Sequence, residues 1–352
     1  MVVLKFKDYY KRLIRKIPIL KNGLVLLHIV SVIIGFAIFI ASYQTAENLL
    51  VQQNLSKQMI LAKAGSLSAE NLIKNVQNQL SSFIFSFTDL NENINVNKKA
   101  TRAEFAAYMQ RAQLPVNSIS MYDEVGKLSI LENRNHIYTG ENQDFSQTEL
   151  IKWSKNPESK NKTFISTPYI GTTGASVGKI IIIIAKPIYF GSIYKGTLAV
   201  RLLVNDFRND FITALVSGND EDSFIVNSAG VLLAGNSSLT NQNLYSYAGK
   251  KKWNGSADFT KKLNAALKTN SLQTNWIFQN PGDKPKDLLV GISKIDIPNT
   301  DRDLFFAATS SRDKALASLK SLSAYGYAWL GFGVLTTTTG GLLVIFLRSG
   351  AI

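Results

Sequence analysis

The chain has 352 residues, 45% of them hydrophobic, no cysteine, and a formal net charge of +14. Without cysteine, disulfides, thiolate metal sites and thiol nucleophiles are excluded, and the length allows two or three compact units. The charge is not a nucleic-acid footprint: residues 1–23 carry seven lysines and arginines against Asp8 alone, and no basic run elsewhere exceeds Lys250-Lys251-Lys252.

The basic residues 1–23 lead into LVLLHIVSVIIGFAIFIA, Leu24 to Ala41, which is uncharged and long enough to span a bilayer. The positive-inside rule assigns residues 1–23 to the cytoplasm and 24–43 to a transmembrane helix. A cleaved signal peptide is the rival, but the apolar segment is longer than the usual about 7–15 residues and Ala41 to Ala46 offers only a loose cleavage site. His28 and Ser31, polar members of this helix, read as side chains facing a partner helix.

Residues 44–90 follow as a long helix. Leu55, Met59, Ala62, Ser66, Ala69, Ile73, Val76, Leu80, Phe83, Phe87 and Leu90 recur every three or four residues with no proline between them. This is the packing seam of a stalk or coiled coil, on the order of 70 Å long at about 1.5 Å per residue.

Strand and turn patterns come next. NSISMYDEVGKLSIL, Asn117 to Leu131, predicts two strands around Asp123–Gly126. FSQTELIKWSKN predicts a short helix starting at Ser146 or Thr148, and KTFISTPYI a strand. GTTGASVG is a glycine-rich turn, and KIIIIIAKPIYF and KGTLAVRLLV are two strands joined by GSIY. The isoleucine run is too short to cross a membrane and wholly β-branched, so it reads as a strand covered on both faces. NDFRNDFITALVSG is helical, after which the pattern starts again. DSFIVNSAGVLLA is strand, turn and strand, and SLQTNWIFQ, KDLLVGISKI and RDLFFAATS are three further strands. The second set is a degenerate echo of the first.

YGYAWLGFGVLTTTTGGLLVIFL, Tyr325 to Leu347, is a second uncharged span, with Tyr325, Tyr327 and Trp329 suited to the membrane interface. It returns the chain to the cytoplasm, leaving 348–352 as a short tail and 44–324 outside. Ser31 and Gly35, and Gly333, Thr337 and Gly341, lie at four-residue spacing, which brings helix backbones close and fits a contact with a second copy or a partner receptor. Thr336 to Thr339 have their own helix carbonyls to bond.

This order of elements resembles the double Cache sensor domain of bacterial transmembrane receptors. The resemblance is carried by STPYIGTTGASVGKIIIIIAKPIYFGSIYKGTLAVRLLVNDF, by DSFIVNSAGVLLA, and by RDLFFAATSSRDKAL leading into the second span. It implies an α+β fold, with a long N-terminal stalk helix passing two PAS-like antiparallel sheets between two transmembrane helices. The membrane-distal domain would be 91–206 and the membrane-proximal one 207–322. It further implies that one face of the distal sheet packs on the helix and the other floors a ligand pocket.

Other motifs point elsewhere and fail on chemistry. GASVG, Gly174 to Gly178, matches a nucleophile elbow, but a strand follows Ser176 where a helix must, and the only histidines are His28 and His136. GTTGASVGKI misses the phosphate-loop register, and Ile180 stands where Ser or Thr must hold magnesium. DEVG and Asn219 to Asp222 read as turns rather than metal loops. No catalytic residue, metal or cofactor is expected.

Amino-acid-binding members of the resembled family hold the ligand carboxylate with an Arg and a Trp-Tyr pair on the short helix. They hold the amine with a Tyr, a nearby Asp and a last-strand Asp. Here the helix offers Lys152-Trp153, Tyr169 matches the tyrosine, Gly171 replaces the first acid and Arg201 the last. An organic acid is therefore expected rather than an amino acid. Arg201 interrupts an apolar strand and needs an anion: an internal carboxylate such as Asp206, or a bound acid gripped in the bidentate manner of a guanidinium. Trp153 and Tyr169 are the expected pocket walls, with core packing the alternative. The expected function is a bacterial inner-membrane sensor whose output domain is absent from this chain, either as a truncated receptor or as one that signals through a partner's helices. The competing expectation is a non-catalytic membrane-anchored scaffold binding a periplasmic or surface partner.

Overall fold

The computed structural model of the chain describes residues 23–88, 98–112, 115–207, 221–235, 264–265, 268–269, 271–278, 286–300 and 302–349. The expected basic terminus, seam residue Leu90 and most of the helix expected after Asp206 lie outside these. Two compact units are present, one within residues 1–53 and 313–352, the other spanning 54–312.

Helix α1, Gly23–Thr88, runs unbroken for 66 residues, because no proline or glycine pair interrupts the apolar segment or the stalk. In the first unit it meets the long helix of residues Ala317–Ser349. The Phe39 ring fills the space of a Gly326 Cβ, which would stand 2.1 Å away, and Gly333 faces Val32. Phe39 also meets Tyr327 edge-on at 6.2 Å. Gly35 has nothing within 4 Å, so the four-residue seam expected around it is not used between these two helices. Leu27, Ile33, Ile34 and Ile38 are more than half exposed. Among the described residues, α1 is the one helix long and apolar enough to cross a membrane.

In the second unit the seam is as read. Leu55, Met59, Ala62, Ser66, Ala69, Ile73, Val76, Leu80, Phe83 and Phe87 are all buried. Helix α2, Lys98–Arg111, packs beside it through Phe105 and Tyr108, whose rings stand edge-on to Phe83. The first sheet holds β1 Val116–Asp123, β2 Leu128–Asn133, β3 Phe164–Ile165, β4 Tyr169–Ile170, β5 Ile180–Phe190 and β6 Ile193–Leu203. Between β2 and β3 lies helix α3, Glu149–Lys155, capped by the Thr148 side chain. Short α4, Val204–Phe207, follows β6. The second sheet holds β7 Glu221–Asn227, β8 Leu232–Ala234, β9 Ser271–Phe278, β10 Lys286–Ile295 and β11 Leu304–Ser311. Strand order is β2-β1-β6-β5-β3 in the first, with β4 also on β5, and β8-β7-β11-β10-β9 in the second. With β4 set aside, both sheets use one topology, which is the repeat seen in the sequence. Helix α5, Arg312–Ala315, follows β11, and Ala317–Ser349 is α6.

Strand β5 shows why its isoleucines are there. Side chains alternate between faces. Ile182, Ile184 and Ile188 join Val76, Leu80 and Phe83 of α1 in one cluster. Ile183 and Ala185 join Leu150, Ile151 and Phe164 in another. Burial of each isoleucine contributes about 1.5–3 kcal/mol.

Two expectations need correction. KTFISTPYI is not one strand: β3 pairs with Ile184–Ala185 and β4 with Ile180–Ile181. Pro168 brings no N–H to the ladder, and in the gap the Ser166 side chain accepts from the Ile183 N–H. The β5–β6 turn is only Gly191-Ser192, because Ile193 and Tyr194 are already paired.

The sheets are joined at α1. Gln77 Nε2 donates to Thr163 Oγ1 (2.9 Å) beside β3 and to the Pro298 carbonyl (3.1 Å) in the β10–β11 connection. The Thr163 N–H donates to the Asn299 carbonyl at 2.6 Å, and Glu149 of α3 pairs with Arg302. In the second sheet, Gly291 of β10 lies so near α1 that an added Cβ would stand 2.5 Å from backbone atoms of Gln58 and Met59. Backbone cannot move aside as a side chain tip can. Gly291→Ala is expected to cost about 1–3 kcal/mol, read as a lower urea midpoint. A midpoint equal to the parent's would contradict this packing.

Candidate functional site

Alternation along β6 places Thr197, Ala199 and Arg201 on the face turned away from α1. Arg201 stands opposite Ile183 of β5 and Ser118 of β1. Its side chain is enclosed, with 2% exposure. Nη1 donates to Thr173 Oγ1 (2.5 Å) and toward the Thr173 carbonyl (3.4 Å), and Nη2 to the Tyr122 hydroxyl (3.0 Å). None of these acceptors is charged. Asp206, the internal carboxylate considered from the sequence, is not among its hydrogen-bond partners.

A buried cation held only by neutral oxygens is poorly compensated. The shortfall extends to its neighbours. Arg201 Nε and the hydroxyls of Ser118 and Ser120 are buried and have no hydrogen-bond partner among the described residues. Ser118 and Ser120 lie on the same face of β1 as Tyr122, beside Arg201 and Ala199 across the ladder. One patch of the first sheet thus gathers a guanidinium and two hydroxyls with unused bonding capacity. It has the chemistry to receive an oxygen-rich anion.

Tyr169 on β4 is brought to this patch. It is 37% exposed and pairs opposite Ile181 of β5. Burial pushes its hydroxyl well above the usual tyrosine range, Tyr122 adds to the shift, and Arg201 opposes it. Trp153 is on the same side of the sheet but further along. It is half-buried on α3 and packs on Phe164 with ring centroids 5.3 Å apart, near Ala185 midway along β5.

Tyr122, Thr173, Ser118 and Ser120 escaped the sequence reading. The β1 residues could have been found by setting its alternation beside that of β6. Thr173 could not, because only the fold of the glycine-rich loop carries it to Arg201. The other motifs are structural. Ser176 is buried in a turn of 3-10 helix, Gly174–Ser176, and its hydroxyl donates to the Thr173 carbonyl. Asp123 Oδ1 accepts from the N–H groups of Val125, Gly126 and Lys127, which makes DEVG a turn.

No family model and no curated protein matches the sequence. Solved structures do match. The periplasmic sensory domain of the Campylobacter jejuni chemoreceptor Tlp1 superimposes with a TM-score of 0.58 at 12% identity, over 76% of this chain and 98% of that one. The extracellular domain of the putative histidine kinase soHK1S-Z6 gives 0.57 at 13% identity, over 77% and 99%. An extracellular ligand-binding receptor from Desulfohalobium retbaense gives 0.49 at 12% identity, and the match spans 71% of this chain but 39% of that one. At such identities the likeness is one of fold. It is the double Cache-like fold of chemoreceptor and kinase sensory domains.

Burial also raises two other tyrosines: Tyr108 is pushed up to about 12, as is Tyr194, where a bond to Thr197 works against the shift. Unfolded tyrosines release their proton near about 10. Between about 10 and 12 the unfolded chain therefore binds fewer protons than the folded one, and stability falls as pH rises. Urea unfolding at pH 9.5 and 11 should show this loss, and Tyr108→Phe should make it smaller. A slope unchanged in that variant would contradict the buried setting of Tyr108.

Proposed function

We propose that the protein is a two-pass sensor of a bacterial inner membrane, whose outer part binds a small organic acid and passes a conformational signal inward. Residues 1–23 are cytoplasmic, 24–43 and 325–347 cross the membrane, and 348–352 return to the cytoplasm. Residues 44–90 form the stalk, with 91–206 the distal and 207–322 the proximal sensory domain. The observation that carries this reading is Arg201, an enclosed cation with neutral partners beside the unused hydroxyls of Ser118 and Ser120.

Several features support it. The matched Campylobacter domain is a periplasmic sensory one and shares the architecture. The exposed apolar face of α1 suits lipid, as do Tyr325, Tyr327 and Trp329, each more than 60% exposed at the start of α6. Gly35 and Gly340 face open space, which leaves room for a second copy or a partner receptor's helix. An acid is favoured over an amino acid because the groups around Arg201 are donors and hydroxyls, with no carboxylate among its hydrogen-bond partners in the described residues to hold an ammonium.

In this mechanism Arg201 takes the acid's carboxylate, Ser118 and Ser120 its remaining oxygens, and Tyr169 and Trp153 wall the pocket. Binding favours one arrangement of the distal sheet's cover over another, and the Gln77 junction relays the difference to the proximal sheet.

A thermal-shift series on the full chain in detergent micelles, with succinate, citrate, lactate, acetate, serine and alanine, tests the reading. An acid should raise the melting temperature by several degrees. Arg201→Met should abolish that shift while preserving the far-ultraviolet circular dichroism of the parent. A shift that survives in Arg201→Met, or one produced by the amino acids alone, would refute the assignment.

A further inference from the structure

Two of the acceptors on Arg201, the hydroxyl and carbonyl of Thr173, belong to a loop with its own construction. Gly171 to Lys179 closes on itself. The Gly171 N–H donates to the Lys179 carbonyl, the Gly178 N–H to Gly171, the Lys179 N–H to Ser176, and the Val177 N–H to Gly174. Gly171 and Val177 form a bridge, and a Cβ at Gly171 would meet the Ser176 carbonyl at 2.4 Å. The loop is thus a small preformed unit.

Its polar ties to the rest of the domain are few. The Gly174 N–H donates to the Thr139 carbonyl (2.8 Å) and to Thr139 Oγ1 (3.1 Å). Thr173 accepts from Arg201 through both its hydroxyl and its carbonyl. Close packing adds to these, with Gly174 against Leu131 and the Thr173 methyl against Gly140. The outer side is open: Ile170 is 63% and Val177 57% exposed. At the far end Gly178 has φ +74° with nothing within 4 Å of an added Cβ, a joint unhindered by neighbours.

We propose that residues 171–178 are a plug, in which Thr173 occupies the Arg201 donor positions that the anion takes, so that ligand binding displaces the loop. This rests on the reading of Arg201 as the anion-binding residue. The exchange has a clear direction. A carboxylate brings the guanidinium an opposite charge and a bidentate acceptor, neither of which the neutral oxygens of Thr173 supply. An entering carboxylate also offers acceptors to Arg201 Nε and to Ser118 and Ser120, which the plug leaves without partners. The plug in turn shields the guanidinium from water when no anion is present, and sets the affinity by competing with it. Its release removes one of the loop's two polar anchorages, leaving it held at Thr139.

The test uses the full chain in lipid nanodiscs and two variants. Thr173→Val keeps the shape and removes the hydroxyl acceptor, while Thr173→Ser retains an acceptor. Hydrogen exchange followed by mass spectrometry should show amide protection across 171–178 falling at least tenfold in Thr173→Val. Protection of β5 and β6 should stay unchanged, and Thr173→Ser should resemble the parent. Titration with succinate and citrate should then give Thr173→Val at least fivefold tighter binding than the parent. Addition of the acid to the parent should itself deprotect 171–178. Equal protection of the loop in Thr173→Val and parent overturns the plug, whatever the acids do. Equal affinity of the two proteins for an acid that binds overturns it as well. If neither acid binds either protein, the reading of Arg201 as an acid site fails, and the exchange result alone decides whether Thr173 holds the loop shut.

Discussion

Strand β5 lies between two apolar layers, α1 on one side and α3 with residues of β1 to β3 on the other, and this confinement governs the rest of the domain. A strand buried on both faces has no water to satisfy its polar groups, so its ladder must be complete. Where β3 and β4 leave it unpaired, the Ser166 hydroxyl fills the gap. Tight packing of this kind transmits displacement instead of absorbing it. The sheet therefore acts as a stiff plate, and any rearrangement falls on its covers. On the helix side the cover is continuous and jointed to the second sheet through Gln77. On the other side it is a short helix and a loop, which are easier to move.

Arg201 belongs to that more yielding side. Placing a guanidinium beside Ala199 and Ile183 weakens the domain unless something negative arrives. A methionine there would pack without leaving a charge in the core, so the arginine is hard to explain by stability. The two serines make the same point more quietly. Alanine would serve the packing equally well, and a buried hydroxyl with no partner costs about 1–3 kcal/mol. Three such groups on adjacent positions of one face are easier to understand as an arrangement for a ligand than as three separate defects.

The sequence made the scaffold legible and the site only partly so. The α1 seam and the β1–β2 turn at Asp123 could be read because each rests on local periodicity or turn chemistry. The doubled topology could be read because the second set of strands repeats the first. Arg201 stood out as a charge in an apolar run, and the Arg201 charge acts on the Tyr169 hydroxyl. Trp153 packs on Phe164. Thr173 was invisible, since its contact with Arg201 depends on how glycines fold a loop with no periodicity. Ser118 and Ser120 were hidden for a different reason. Serine on a strand reads as the wet side, and only the pairing of β1 with β6 turns that side inward. The break at Pro168 was legible in principle, because proline removes a ladder donor, but the run of β-formers around it masked the signal.

A ligand shifts a conformational equilibrium only by its difference in affinity for the two states. Many buried pockets offer little such difference, because the same groups touch the ligand whether the cover is tight or loose. An arginine whose donors are occupied by the cover itself behaves otherwise. Contact with the anion and contact with Thr173 compete for one nitrogen, Nη1, so each is available only in its own arrangement of the loop. The competing scaffold reading asks nothing of Arg201 and leaves it a cost to the fold. The sensing reading makes that cost the source of the signal: the free energy of a better partner for the guanidinium is the energy that separates the two states.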